Sequence, residues 1–492
     1  MRQEDSSANV GVEAGPRPDA PTTREPKVLW RWAVVVGTAA LVLALPRPED
    51  VPPAGWRMLA IFVATIVGAI VQPLPAGAVV LIGVAMTTFT GVLTPAQALA
   101  GYADPIVWLV LAAFFLSRGM IKTGLGRRLA LLFIRAIGGS SLGLSYALTG
   151  TDFVLGSIVP SNAARSGGII FPIATSLAQT YQSTPGPTAR RLGAFLLVTV
   201  YQCDVIICAT FMTGQASNLL IANFATQIKG SPIGYLEWLA GAIVPSLLSL
   251  LIVPLLLYRW YPPEVRRTPD ATAFAKTELA NMGPMSRAEQ VMLATFLLVA
   301  GLWIVSSWLK LDYTVVALVG IVVLLVSRVL TWEDVLNERA AWDVFVWYGG
   351  LIRMAAAIGE FGLAKRFALA SSQMTADFSW QVAFILLLLI YFYAHYGFAS
   401  ITAHVTAMYL PFTAVAVAAG TPPVFAAFAF AYCSNLAACL THYGTTPAPI
   451  YFGARYIPQR TWWRLGLAVS LVTITIWGVV GTLWWRVIGL GQ

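Results

Sequence analysis

Two stretches of this sequence align without a gap, and each sets polar groups and a basic side chain in the same order. One is S-N-A-A-R-S-G-G-I-I-F-P, from Ser161 to Pro172; the other is S-I-T-A-H-V-T-A-M-Y-L-P, from Ser400 to Pro411. Ser161 matches Ser400, Ala164 matches Ala403, and Arg165 matches His404. Hydroxyls and amides donate hydrogen bonds, and a basic group adds positive field, so this set suits an anion. The candidates are Ser161, Asn162, Ala163 and Arg165 in the first copy, and Ser400, Ile401, Thr402 and His404 in the second.

A second matched pair lies downstream. T-G-Q-A-S-N occupies 213–218 and Y-G-T-T-P-A occupies 443–448. Setting Gly214 on Gly444 also sets Cys203 on Cys433 and Asp204 on Ser434. Glycine interrupts a helix and lets backbone approach a ligand closely. Gly214, Gln215 and Asn218 therefore join the candidates, with Gly444 and Thr445 opposite them. Tight helix packing is the plainer use of such glycines, but their recurrence at matched places favours a ligand. Arg165 either pairs with Asp152 or a hairpin carbonyl, or meets the anion; its match to His404 favours the anion. Asp204 either tunes the site or pairs with a nearby cation. Asn435 and His442 lie near the second break and either line the site or cap structure. His395 reads as structural.

The elements that carry these residues must live in lipid. Charged residues are 11% of the chain, against roughly 25% in soluble proteins, and apolar residues are 58%. That excludes a soluble enzyme, a disordered scaffold and a disulfide-rich module. The four cysteines sit inside apolar runs, and no Cys/His cluster has zinc spacing. No cofactor or metal is expected. The net charge of +9 has no compact basic domain to bind nucleic acid; basic residues gather instead in cytoplasmic loops. A membrane enzyme would place paired carboxylates or a nucleophile and base at a membrane face. The largest polar loop, 261–290, holds scattered acids and no histidine, so no enzyme is expected.

The apolar pattern predicts an all-α polytopic membrane protein. Residues 1–27 read as a disordered cytoplasmic tail. A first half, 28–260, holds apolar runs at 28–45, 56–71, 76–92 and 105–120, then an amphipathic interfacial helix at 124–137. A polar-interrupted re-entrant hairpin follows at about 140–180 with its tip near Ser161. A helix broken at 213–218 and a span at 235–260 complete this half. A cytoplasmic linker, 261–290, leads to the second half, 291–492. That half repeats the order: spans, an interfacial helix at 362–370 with Lys365 and Arg366, a re-entrant hairpin at about 375–415, and a helix broken at 441–449. Tryptophans such as Trp347 and Trp462 read as interface anchors. With the N-terminus cytoplasmic, nearly all basic clusters fall inside; Lys365 and Arg366 fall outside. An odd number of spans between the copies inverts the second. Inverted repeats with broken helices meeting at mid-membrane mark secondary transporters.

The motifs PSNAARSGGIIFPI (160–173), FASITAHVTAMYLPF (398–412) and SNLAACLTHYGTTPAPIYFG (434–453) resemble the divalent-anion/sodium symporter family. The likeness is to its branch of bacterial citrate, tartrate and 2-oxoglutarate/malate exchangers, and it runs from about Val28 to the C-terminus. The resemblance implies about eleven spanning helices, two re-entrant hairpins, a homodimer and an elevator-like alternating access. It implies a multi-pass protein of the bacterial inner (plasma) membrane whose partners are lipid, a second copy and a small organic anion. The family's Ser-Asn-Thr hairpin tips hold carboxylates. Ser161 and Asn162 keep that pattern and Ala163 departs from it; Ser400 and Thr402 keep it and Ile401 departs. Sodium-coupled members hold sodium beside each tip, where Arg165 and His404 would set fixed cations. Unpaired cations resist crossing the membrane, Arg by at least about 2.5–3.5 kcal/mol at a helix centre. Exchange of di- or tricarboxylates (2-oxoglutarate, malate, succinate, citrate or tartrate type) is therefore expected. The alternative is a sodium-coupled dicarboxylate symporter, with sodium at Ser157, Ser161, Asn162 and Gly214.

Overall fold

Helices follow the apolar runs through the computed structural model, which describes residues 26–363, 366 and 379–490. Among the described residues the regular structure is helical, apart from one isolated bridge between Ser140 and Arg267. Nine described helices are long and apolar enough to cross a membrane, and Leu29–Ala44, Ala76–Phe89 and Tyr313–Val326 are shorter apolar helices. Large side chains such as Leu251, Val322 and Ile390 stand exposed on them, as a lipid-facing surface requires.

Two packing groups meet. In the first, Pro53–Val71, Ala76–Phe89, Pro105–Thr123 and Arg339–Glu360 pack side by side. Small residues allow the approach: a Cβ on Gly349 would meet the Tyr102 ring at 2.5 Å, and one on Gly350 would meet Val80 at the same distance. The second group surrounds Gly193–Thr210, a helix buried along its whole length. Against it and one another lie Ser141–Gly156, Tyr235–Trp260, Ala216–Lys229, Ile401–Ala418 and Pro423–Leu436.

The interfacial helix is Leu125–Ile137. Its Arg128 grips Glu289 through Nε at 2.5 Å and Nη2 at 3.1 Å, and donates to the Gly283 carbonyl at 3.0 Å. Glu289 also closes a capping box with Ser286 at the start of Arg287–Leu309. The 261–290 connection is not wholly irregular: it contains the helix Pro269–Met282. That helix buries Ala271 and Ala275 against its surroundings and pairs Glu278 with Arg127. Pro269 starts it, since proline is suited to a first helical turn.

Residues 1–25 of the tail, 375–378 of the second hairpin, and all of the second interfacial helix but Gly362, Leu363 and Arg366 lie outside the described residues. Arg366 pairs with Asp50. The tryptophan expectation needs correction at two positions. Trp347 and Trp462 are buried; Trp462 packs on Tyr201 with ring centroids 4.8 Å apart.

Candidate anion site

Each hairpin is two helices joined by a turn that cannot be helical throughout. In the first, Ser141–Gly156 ends and Pro160 follows, without an N–H to continue the ladder. The chain re-enters as the π-helical segment Ala163–Ile170, then Phe171–Thr180. In the second, Trp380–Ala394 tightens into a 3₁₀ turn at His395–Gly397, and Ile401–Ala418 begins after an extended Ser400. The two broken helices run Gly193–Thr210 to Ala216–Lys229, and Pro423–Leu436 to Ala448–Gly453.

The tips and breaks converge on a cavity of about 300 Å³. Ser161, Asn162, Ala163, Gln215, Ser400 and Thr402 line one side, joined by Ser217 and Thr446. Several helices begin there. Gln215 precedes Ala216–Lys229 and Ser400 precedes Ile401–Ala418, and neither side chain caps its helix. The first backbone N–H groups of a helix have no partner inside it, and its dipole is positive at that end. Such ends bind carboxylates and other anions.

The copies hold each other across this cavity. Asn162 donates to the Thr445 hydroxyl at 2.9 Å, and the Ser217 and Thr402 hydroxyls meet at 2.5 Å. Gln215 donates to Asn435 at 2.6 Å, and Asn435 donates to Asn218 at 2.8 Å. Asn218 turns its own amide to the carbonyls of Cys208 and Phe211, at 2.6 and 2.9 Å. It therefore closes a helix end and does not line the cavity.

Arg165 stands elsewhere than an open anion ligand would. It is fully buried and lies outside the cavity lining. Its Nε bonds Asp152 at 2.5 Å and its Nη2 bonds Asp204 at 2.7 Å. Its Nη1 donates to the carbonyls of Gly214 at 2.8 Å and Val159 at 3.1 Å. A dry interior demands pairing of a charge, and acids on two neighbouring helices supply it. The expectation that Arg165 crosses unpaired when no anion is bound is thus overturned.

His404 is likewise enclosed. Its ring lies 4.3 Å from Tyr391 and 5.0 Å from Phe398, centroid to centroid. Its Nδ1 meets Nδ1 of His395 at 3.1 Å, and His395 Nε2 meets the Gly444 carbonyl at 3.0 Å. The carbonyl only accepts, so His395 Nε2 carries the hydrogen; in the neutral ring its Nδ1 then accepts from His404. The two rings cannot both be imidazolium while they share that bond. His395 is thus the link from His404 to the second break.

The glycines serve the fold directly. A Cβ on Gly214 would lie 2.7 Å from the Cys208 carbonyl, and one on Gly444 would lie 2.9 Å from the Ala438 carbonyl. The chain doubles back on the helix it has just left, so close approach there is to backbone and not to a ligand. Thr445 spends its hydroxyl on Asn162, and Ile401 is buried. His442 accepts from Trp463 at 3.0 Å. Of the groups named for sodium, Ser157 and Gly214 are bonded within the protein: Ser157 donates to Val154 at 2.7 Å, Thr213 donates to the Ser157 carbonyl at 2.8 Å, and Arg165 donates to that of Gly214.

The opposite side of the cavity comes from the first packing group. Ile66, Val80, Phe114, Trp347 and Leu351 make it apolar, with Gln72 and Asp343 as polar exceptions. Sequence reasoning placed none of these in the site; Trp347 it read as an interface anchor. An acid just inside an apolar run, as Asp343 is, was the available signal.

The sequence matches the description "Sodium:sulfate symporter transmembrane region" over residues 26–490. The chain belongs to the sodium:sulfate symporter family. Relatives extend the likeness along nearly the whole chain. YflS of Bacillus subtilis, named a candidate malate transporter, is 46% identical over 93% of this chain and 96% of its own length. The chloroplastic Dicarboxylate transporter 1 of Arabidopsis thaliana is 44% identical over 98% of this chain and 88% of its own. In structure, this sodium:sulfate symporter relative is similar to the Alcanivorax borkumensis YdaH transporter, with a TM-score of 0.52 and 15% identity. The match covers 94% of this chain and 98% of that one.

Proposed function

We propose that this protein is a dicarboxylate transporter of the bacterial inner membrane, with its N-terminus in the cytoplasm, working by exchange. The carrying observation is the small cavity where hydroxyls, amides and uncapped helix ends from two hairpins and two breaks converge. Two carboxylate groups find donors from both copies of the repeat at such a site. Relatives whose names specify malate or dicarboxylates support that cargo.

Exchange follows from two features. Backbone carbonyls at a broken helix are the ligands a coupling sodium ion uses. Here those of Val159 and Gly214 already hold the Arg165 guanidinium, a cation that cannot depart with the cargo. The second feature is the apolar wall. When the hairpin tips slide past Ile66, Phe114, Trp347 and Leu351 unloaded, the uncapped helix ends at Gln215 and Ser400 lose water and gain no partner. Each unpaired group costs about 1–3 kcal/mol. A bound anion satisfies them, so the loaded form crosses and the empty form stays. The same reading makes the first packing group the fixed part of an elevator, paired with that of a second copy.

Counterflow in proteoliposomes tests this. Labelled dicarboxylate should enter vesicles preloaded with unlabelled dicarboxylate at the same rate in sodium and in choline. Strong net uptake into empty vesicles under an inward sodium gradient would establish symport instead.

A further inference from the structure

Arg165 is one cation set between two acids. Asp152 and Asp204 each give one oxygen to it, at 2.5 and 2.7 Å. Their other oxygens, Asp152 Oδ2 and Asp204 Oδ2, are buried and have no hydrogen-bond partner among the described residues. All three side chains are fully buried, with relative exposures of 0%. Both acids sit against the one guanidinium, at its Nε and its Nη2.

The charge count does not close. With both acids ionised, the cluster carries one uncompensated negative charge in a dry interior, which costs several kcal/mol. The titratable groups bearing on it from the elements around are Tyr201, Cys203 and Cys208 of Gly193–Thr210, and Tyr451 of Ala448–Gly453. None of these can become positive. Two carboxylates confined together ordinarily resolve such a conflict by sharing a proton.

We propose that Asp152 and Asp204 hold one proton between them. The other carboxylate and Arg165 are left as the ion pair. Hydronium from water supplies the proton: one of its O–H bonds breaks, one O–H bond forms on a carboxylate oxygen, and a water molecule is left. The cluster then carries no net charge through the membrane. The inference stands apart from the proposed cargo, because the cluster does not line the cavity.

Infrared spectroscopy of the purified full-length protein reads this directly. At about pH 8, far above the ordinary carboxyl value of about 4, wild type should show the carbonyl stretch of a protonated carboxylic acid. That stretch should vanish in Asp204→Asn and also in Asp152→Asn, because the one acid left beside Arg165 is then ionised. A wild-type spectrum without the stretch overturns the proposal, as does a stretch that survives in both variants. The wild-type measurement stands even if a variant fails to fold. Sodium is the competing ion: absence of the stretch together with sodium-dependent thermal stabilisation would assign the place to sodium.

Discussion

Arg165 donates to the carbonyl of Gly214 at 2.8 Å, and so fastens the first hairpin to the break in the helix beside it. The second copy makes the same connection through an intermediary, from His404 to His395 to the carbonyl of Gly444. A parallel holds one step further out. Asp204 bonds Arg165, while its counterpart Ser434 meets Tyr391 at 2.7 Å, and Tyr391 packs on His404. Matched positions perform matched structural tasks with different chemistry.

Removing Arg165 strands two buried acids. Arg165→Ala should destabilise the protein by about 3–5 kcal/mol, and Arg165→Lys should recover only part, because the three donors of one ammonium nitrogen cannot span the two acids and two carbonyls that the guanidinium holds. Thermal unfolding in detergent checks the order wild type, Lys, Ala.

Cavity hydroxyls act one bond at a time. Ser161→Ala, Ser400→Ala and Thr402→Ala should each cost about 0.5–1.5 kcal/mol of anion binding. In counterflow, that appears as a roughly two- to tenfold rise in KM.

Asp343 stands exposed on the cavity wall. An acid there repels a dianion by about 1 kcal/mol at 4 Å even in water. Asp343→Asn should lower the KM for dicarboxylate about fivefold, and it should leave the KM for a monocarboxylate less changed.

His395→Phe keeps an aromatic ring but leaves the Gly444 carbonyl without its donor. The loss should be about 1–3 kcal/mol, with slower exchange. His442→Phe gives up only the contact with Trp463 and should melt closer to wild type.

Outside the membrane, Asp334 bonds Lys122 at 2.5 Å. Partial burial pushes its carboxyl up, but hydrogen bonds from Lys122 and Thr331 outweigh this and hold it down to about 2. A depressed acid stabilises the fold above its unfolded value, near 4, and loses that contribution as pH falls towards 2. Because Lys122 is 36% exposed, Lys122→Ala should cost under about 1 kcal/mol at neutral pH. Arg128→Ala, which breaks a buried bidentate pair with Glu289, should cost several times more.

Spans, hairpins and breaks were legible because apolar runs and their interruptions are local in the chain. The matched Ser161 and Ser400 were legible through the repeat. The partner of Arg165 was legible only by half. Asp152 lies in the same hairpin, whereas Asp204 comes from another helix, and only folding brings it within 2.7 Å. The apolar wall was hidden for the same reason: Phe114 and Trp347 look like any span residue until two packing groups face each other. The two glycines drew a ligand reading from their recurrence at matched places, when crowding by nearby backbone accounts for them.

For attraction the cavity offers its guest helix ends and neutral donors, while the full positive charge of Arg165 stays behind them, already spoken for by acids. A helix end amounts to roughly half an elementary charge. Cargo gripped by fractions of charge is cargo easily surrendered. A carrier of this build favours turnover over tightness, and its preference among anions rests on the spacing of their carboxylates more than on how many charges they bear.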